Sequence, residues 1–266
     1  LLIPVTELAF HQQLSRLLSS LDTPLFWQRL AQCLGEVVQF DNWVVMLFRP
    51  NRPPLVLADH HANGVAEDMF ADYKNDIYLL DPFFQFIANQ QPQGLFRLDE
   101  VAPEDFRQTE YFRRYFLINI VEDEVQFLAQ LPGVGTVSLS LGKIVRFDQQ
   151  AMGSLALYKD WVIELMRLHC RRNLDLADDI AVPELDVTTR FEMALAQKGV
   201  PTLTKREMEI ALLILSGFSN KGIAKQLMIS MDTVKVHRRN IYLKLDITTQ
   251  SALFMMLMDV NVNKPG

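Results

Sequence analysis

The sequence predicts an α+β chain in three parts. These are an N-terminal α/β/α sandwich on an antiparallel sheet (1–173), a linker (174–200) and a C-terminal all-α domain of four short helices (201–266). Three observations carry this reading. Helical and strand-like segments come in blocks over the first 173 residues, not in the strict β-α repeat of a parallel sheet. Beyond residue 200, cap residues and helical apolar spacing continue without a strand signal. Charge is also split: the net is −6, yet from Pro201 onward nine Lys and Arg face five Asp and Glu, so that stretch carries +4 and the rest −10.

The elements follow in order. Residues 6–38 read as two helices, with Thr6 as the first cap and Asp22-Thr23-Pro24 opening the second. Asn42–Arg49 is β-rich, a Pro-rich turn follows, and Leu55–Asp59 reads as its partner strand. Residues 66–119 read as mostly helical and aromatic. Asp123–Leu131 and Gly135–Gly142, joined by Pro132-Gly133-Val134, read as a hairpin, and Asp148 opens a long helix to about Arg172. The acidic stretch 174–200 reads as a linker with a short helix at Thr188–Gln197.

Composition excludes several classes. Hydrophobic residues at 49% and charged residues at 22% supply a normal globular core. No apolar run approaches the ~18 residues of a membrane span, and Leu1-Leu2-Ile3-Pro4 is too short for a signal peptide. Cys33 and Cys170 lack metal-ligand spacing and read as buried reduced thiols, so a cytoplasmic protein without cofactor or metal is expected. His60-His61 beside Asp59 offers too few ligands for a metal and reads as a solvated loop. Glu122-Asp123-Glu124 reads as exposed charge at a strand edge. No Ser/His/Asp or Cys/His arrangement emerges, so an enzyme is not expected.

In the C-terminal part, Thr204 and Glu207 form a capping box, Gly217 stops the first helix, Ser219 caps the second, Ser230 the third, and Thr248 or Thr249 the fourth. Two short helices joined by the tight turn Met228-Ile229 are what a helix-turn-helix requires. On the third helix Val234, His237, Ile241 and Leu245 form the inward stripe, and Lys235, Arg238, Arg239 and Tyr242 share another face suited to phosphates and base edges. A solvated charged helix face is the plain alternative.

The string Leu203-Thr204-x-x-Glu207, Gly217-x-Ser219-Asn220-Lys221-x-Ile223-Ala224-x-x-Leu227-x-Ile229-Ser230-x-x-Thr233-Val234-Lys235-x-His237-x-x-Asn240-Ile241-x-x-Lys244-Leu245 resembles the LuxR/FixJ DNA-binding domain, in register over a quarter of the chain. The resemblance implies DNA contact by Thr233, Lys235, Arg238 and Arg239, and phosphate contact by Asn220 and Lys221. It also implies a homodimer on a palindromic double-stranded operator. Two departures stand out: Gly222 where such sequences often have Glu, and Asp246 where they often have Gly.

For the N-terminal part, a receiver domain is excluded by the helical start and the antiparallel hairpin, and an ATPase by the missing phosphate-loop spacing. A compact sensor of small organic molecules, PAS/GAF-like in architecture, remains. Tyr73-x-x-x-x-Tyr78-x-x-Asp81-Pro82 with Phe96 resembles the autoinducer-binding domain of quorum-sensing regulators, which implies ligand contacts from Tyr73, Tyr78, Asp81 and Phe96. Phe96 stands near one of that family's tryptophans, and Asp68 or Met69 near the other. A different apolar or amide-bearing ligand is therefore expected, with an acyl-homoserine lactone as an alternative. Trp43, either core or pocket wall, and Ser138, in the hydroxyl row Thr136, Ser138, Ser140, complete the candidate ligand set. The plain alternatives are an aromatic core, Asp81-Pro82 as a helix start, and an N-terminal domain that binds a partner protein or only dimerises.

Overall fold

A computed structural model describes residues 8–50, 52–60, 73, 77–117, 122–173 and 203–258. Thr6 and the linker with its Thr188–Gln197 helix lie outside the described residues. The described chain forms two compact units. One takes its residues from 1–70, 86–101 and 119–181, the other from 71–85, 102–118 and 182–266.

The first unit holds α1 (Leu8–Leu18), α2 (Phe26–Gly35) and a five-stranded antiparallel sheet. The strands are β1 (Asn42–Phe48), β2 (Leu55–Asp59), β3 (Gly94–Arg97), β4 (Asp123–Leu131) and β5 (Gly135–Lys143), in the order β2-β1-β5-β4-β3. The predicted hairpin is β4 and β5, and Gly133 and Gly135 supply its turn at φ +76 and +153. The long helix, α5 (Gln149–Asn173), starts where Asp148 Oδ1 accepts the Ala151 amide at 2.7 Å. The second helix differs from expectation. It begins at Phe26 behind Leu25, which has no side-chain cap bond, because Thr23 spends its hydroxyl on the Ser20 carbonyl at 3.0 Å.

Alternation on the strands divides the sheet into two faces. Val45, Leu47, Val125, Phe127, Ala129, Val137, Leu139 and Leu141 form one core with Phe26, Leu30 and Leu34 of α2 and Val162 and Met166 of α5. Trp43 is half-buried and packs on this core. The stretch 66–119 is mostly helical in its described part, as read, with the strand β3 as the exception. Its described part contains α3 (Pro82–Gln90), the short α4 (Leu98–Val101) and two tight helical turns at Ile77–Leu80 and Phe106–Gln108. It also contains a π-helical turn at Phe112–Phe116 and the strand β3. At four residues β3 is too short to show a period-2 pattern.

The acidic run is also corrected. Asp123 and Glu124 are 0% and 2% exposed, each held by side chains or amides from elsewhere in the fold. Asp123 is satisfied there by Arg97, whose Nη2 donates to Oδ2 at 2.5 Å, and by the Phe147 amide at 2.9 Å.

In the second unit, α6 (Lys205–Leu215), α7 (Asn220–Gln226), α8 (Met231–Lys244) and α9 (Gln250–Met258) form the C-terminal bundle. Each start signal acts as read. Thr204 and Glu207 form the capping box, Ser219 accepts from the Gly222 amide and Ser230 from the Thr233 amide. Thr249, not Thr248, caps α9, accepting from the Ala252 amide at 3.1 Å. Gly217 ends α6 at φ +92, and Asp246 takes φ +52 after α8, as a short polar side chain can. Met208, Ala211 and Ile214 of α6, Ile223 of α7, Val234 and Ile241 of α8 and Leu253 and Phe254 of α9 make the core.

Candidate functional site

The bundle fixes one helix surface. Val234 and Ile241, seven residues apart, are both 0% exposed and anchor the back of α8. Rotation by 3.6 residues per turn then puts Lys235 and Arg239 outward, and both are exposed. Lys235 Nζ reaches only Asp232 of its own first turn, at 3.0 Å across an exposed pair, so it stays available to a stronger anion. Arg238 is half-buried, with its guanidinium 5.5 Å from the Tyr242 ring centre, a cation–π contact that orients it. Thr233 is exposed, its Oγ1 2.8 Å from Ser230 Oγ.

On α7, Lys221 is exposed. Asn220 differs, since its Oδ1 is buried without a hydrogen-bond partner among the described residues, so that oxygen is turned inward. Sequence reasoning missed Val236, which is 58% exposed between Lys235 and Arg239. An apolar side chain there suits a thymine methyl, and the signal was its place off the Val234–Ile241 stripe.

Two bonds brace this surface from behind. Lys244 Nζ donates to Glu207 Oε2 at 2.6 Å, tying α8 to α6. Arg206 Nη2 donates to the Leu227 carbonyl at 3.0 Å, at the turn before α8. Burial alone would push the Glu207 carboxyl up, but the bonds from Lys244 and Thr204 outweigh it and hold the group below its ordinary range.

The candidate ligand residues fall into different places. Phe96 and Ser138 lie on the sheet face opposite the core. Register pairs Phe96 with Gln126 and Ser140 with Val44, and Ser138 with Leu128 and Met46. Trp43 pairs with Leu141 on the core face, so it and Ser138 are on opposite sides and no single pocket on the sheet takes both. Trp43 stands on the core side of the sheet, half-buried against that core. Around Ser138 a buried polar row runs along the face. Ser138 Oγ donates to Gln126 Oε1 at 2.5 Å, Gln126 Nε2 donates to Glu124 Oε1 at 2.7 Å, and Ser140 Oγ also donates to Glu124 Oε1. Sequence reasoning missed Glu124 and Gln126 because their partners lie one strand away. Phe86 meets Phe96 edge to face at 4.9 Å.

Tyr73, Tyr78 and Asp81 belong to the second unit and do come together. Tyr73 Oη donates to Asp81 Oδ2 at 2.5 Å, and the Tyr73 and Tyr78 rings are 6.3 Å apart. Asp81 Oδ1 accepts the Phe83 amide at 2.7 Å, the N-cap role that Asp-Pro suggests. Burial raises the Asp81 carboxyl, and the bonds it accepts from Tyr73 and the Phe83 amide oppose that rise.

A capped helix pair with a tight turn, its second helix offering exposed cations around an apolar residue, defines a helix-turn-helix DNA-binding protein. Residues 201–257 match the family described as bacterial regulatory proteins, luxR family. The LBD domain of VqsR from Pseudomonas aeruginosa is 37% identical, with a TM-score of 0.59 over 63% of this chain and 100% of that one. An HTH-type transcriptional regulator in the exeN 3′ region of Aeromonas salmonicida is 28% identical over 70% of this chain and 96% of its own length. The monoamine regulon transcriptional regulator of Klebsiella aerogenes is 23% identical over 84% and 88%. The chain belongs to the LuxR family of transcription regulators, DNA-binding proteins and not enzymes, with an N-terminal domain like that of VqsR. Among the described residues no helix is long and apolar enough to cross a membrane.

Proposed function

We propose that this regulator is cytoplasmic and binds a palindromic operator as a homodimer through Lys235, Val236 and Arg239 of α8. Thr233, Arg238 and Lys221 add supporting contacts. We further propose that its N-terminal domain binds a small organic molecule, with Phe96 and Ser138 on the sheet as contact residues; Tyr73, Tyr78 and Asp81 are a separate candidate cluster within the second unit. The observation that carries the DNA reading is the exposure of Lys235 and Arg239 over the fully buried Val234 and Ile241. Support for the ligand reading comes from the buried row Glu124, Gln126, Ser138 and Ser140, which places several donors and acceptors on one otherwise apolar sheet face, as small-molecule sites do.

A second reading, in which the N-terminal domain binds a partner protein or only dimerises, is favoured by the internal satisfaction of that row and of Asp81. The same bonds weigh against the acyl-homoserine lactone alternative, since Asp81 already accepts from Tyr73. Thermal-shift screening of the full chain separates these readings. An apolar ligand bearing hydrogen-bond donors should raise Tm, and the rise should shrink in Ser138→Ala and Phe96→Ala. No shift from a broad metabolite and lactone set, with operator binding intact, would leave the second reading standing.

A further inference from the structure

The segment 102–117, which comes between β3 and β4 in the chain, packs in one compact unit with the C-terminal bundle. Its contacts are at backbone range. The Asp105 amide donates to the Gly217 carbonyl at 2.9 Å. A Cβ on Gly217 would stand 2.7 Å from Phe106 Cα and 2.8 Å from its nitrogen, so only glycine admits this approach. Farther along, Ser251 of α9 donates to Glu110 Oε1 at 2.7 Å, and Arg114 Nη1 lies 3.2 Å from Met255 Sδ. On the preceding segment, Gln85 Nε2 donates to Ser216 Oγ at 2.5 Å.

This contact puts one acid against the DNA-binding bundle. The Ser219 amide points at Glu104 Oε2 from 3.5 Å, and a Cβ on Gly222 would stand 2.8 Å from that oxygen. Gly222 is one of the two positions at which the sequence departs from the LuxR/FixJ pattern that it resembles. A glutamate there would add a like charge beside Glu104, and glycine keeps the space at some cost to the helix. The cations of the segment are engaged elsewhere: Arg107 lies over the Phe112 ring, and Arg113 and Arg114 pair with Glu110. Glu104 is therefore held beside α7, the first helix of the pair, which in a helix-turn-helix crosses the DNA backbone. A carboxylate at that position opposes phosphate through like-charge repulsion.

From these contacts we infer that residues 104–110 are an intrachain docking segment that holds Glu104 against the helix-turn-helix and lowers its affinity for DNA until the segment is released. The same segment leads into Tyr111 and Tyr115, and Tyr115 stacks on Tyr73 at 5.4 Å. A change at the Tyr73–Asp81 pair therefore has a packed route to the dock.

The test uses the full chain and a mixed-sequence duplex of about 30 base pairs at about 50 mM salt, where phosphate contacts dominate. Glu104→Gln should tighten binding about fivefold, the low end of usual coupling between sites, and the gain should fade at high salt. Glu164→Gln, an exposed acid of α5, should leave binding unchanged. Releasing the segment with Glu110→Ala plus Ser251→Ala should speed amide exchange over 104–110 and tighten binding, after which Glu104→Gln should add nothing. Three results would overturn the inference. One is equal effects of Glu104→Gln and Glu164→Gln, and another is a Glu104→Gln gain that survives release. The third is 104–110 amides that exchange as fast in the wild type as in the released variant.

Discussion

The two faces of the five-stranded sheet solve different problems with the same backbone. On one, Phe127, Leu139 and Val45 sit in register across β4, β5 and β1, all 0% exposed, and nothing on that side asks for specificity beyond volume. On the other, β4 and β5 present Glu124, Gln126, Ser138 and Ser140, all at most 2% exposed and bonded to one another. Burial of apolar area supplies stability. A satisfied polar row returns little net stability, because its bonds replace bonds to water. The first face therefore holds the domain together, while the second tolerates substitution at small cost to the fold.

Substitutions can break that contrast, and the largest effect is expected on the apolar face. Phe127→Ala should lower unfolding stability by about 3–5 kcal/mol, read from the urea midpoint at constant slope. Asp123→Ala should cost about 2–3 kcal/mol. It strands Arg97 and the Phe147 amide, but Arg97 keeps 21% of its side chain in water, which tempers a loss that would be larger for a fully buried pair. Ser138→Ala should cost only about 1 kcal/mol. If Ser138→Ala destabilised as much as Phe127→Ala, the division of labour between the faces would fail.

A smaller effect sharpens the comparison from the other unit. The Glu207 carboxyl is held below its ordinary range, so its contribution is present above the unfolded value of about 4.5 and is lost as pH falls through the lower folded value. Lys244→Ala should remove on the order of 0.5–1 kcal/mol near neutral pH and flatten this acid loss, seen as a smaller drop in Tm between pH 5 and about pH 3. A wild-type Tm that did not fall in that acid window would contradict the bracing role of the pair.

The bundle was legible because its signals are local. Thr204 with Glu207, Ser219, Ser230 and Gly217 each act within one turn, and the structure uses each in that place. The β4–β5 hairpin was legible for the same reason. What escaped was non-local. Asp123 and Glu124 are buried against partners as distant as Arg97, Ser140 and Phe147, and no pattern within 122–124 carries that. Trp43 could be assigned a side only once its cross-strand partner Leu141 was known. Asp81 was read both as a ligand acceptor and as a helix cap. Its bond to the Phe83 amide makes it a cap, and the Tyr73 hydroxyl eight residues back occupies its other oxygen.

We propose that the exposed cations of α8 meet duplex DNA. This claim is tested most directly by the salt dependence of binding for the wild type, Lys235→Ala and Arg239→Ala. For a phosphate contact, the slope of log K against log salt should fall by about one charge. For a base contact, sequence preference should relax by about 1–3 kcal/mol at one position. Both variants matching the wild type in affinity, slope and preference would contradict the claim.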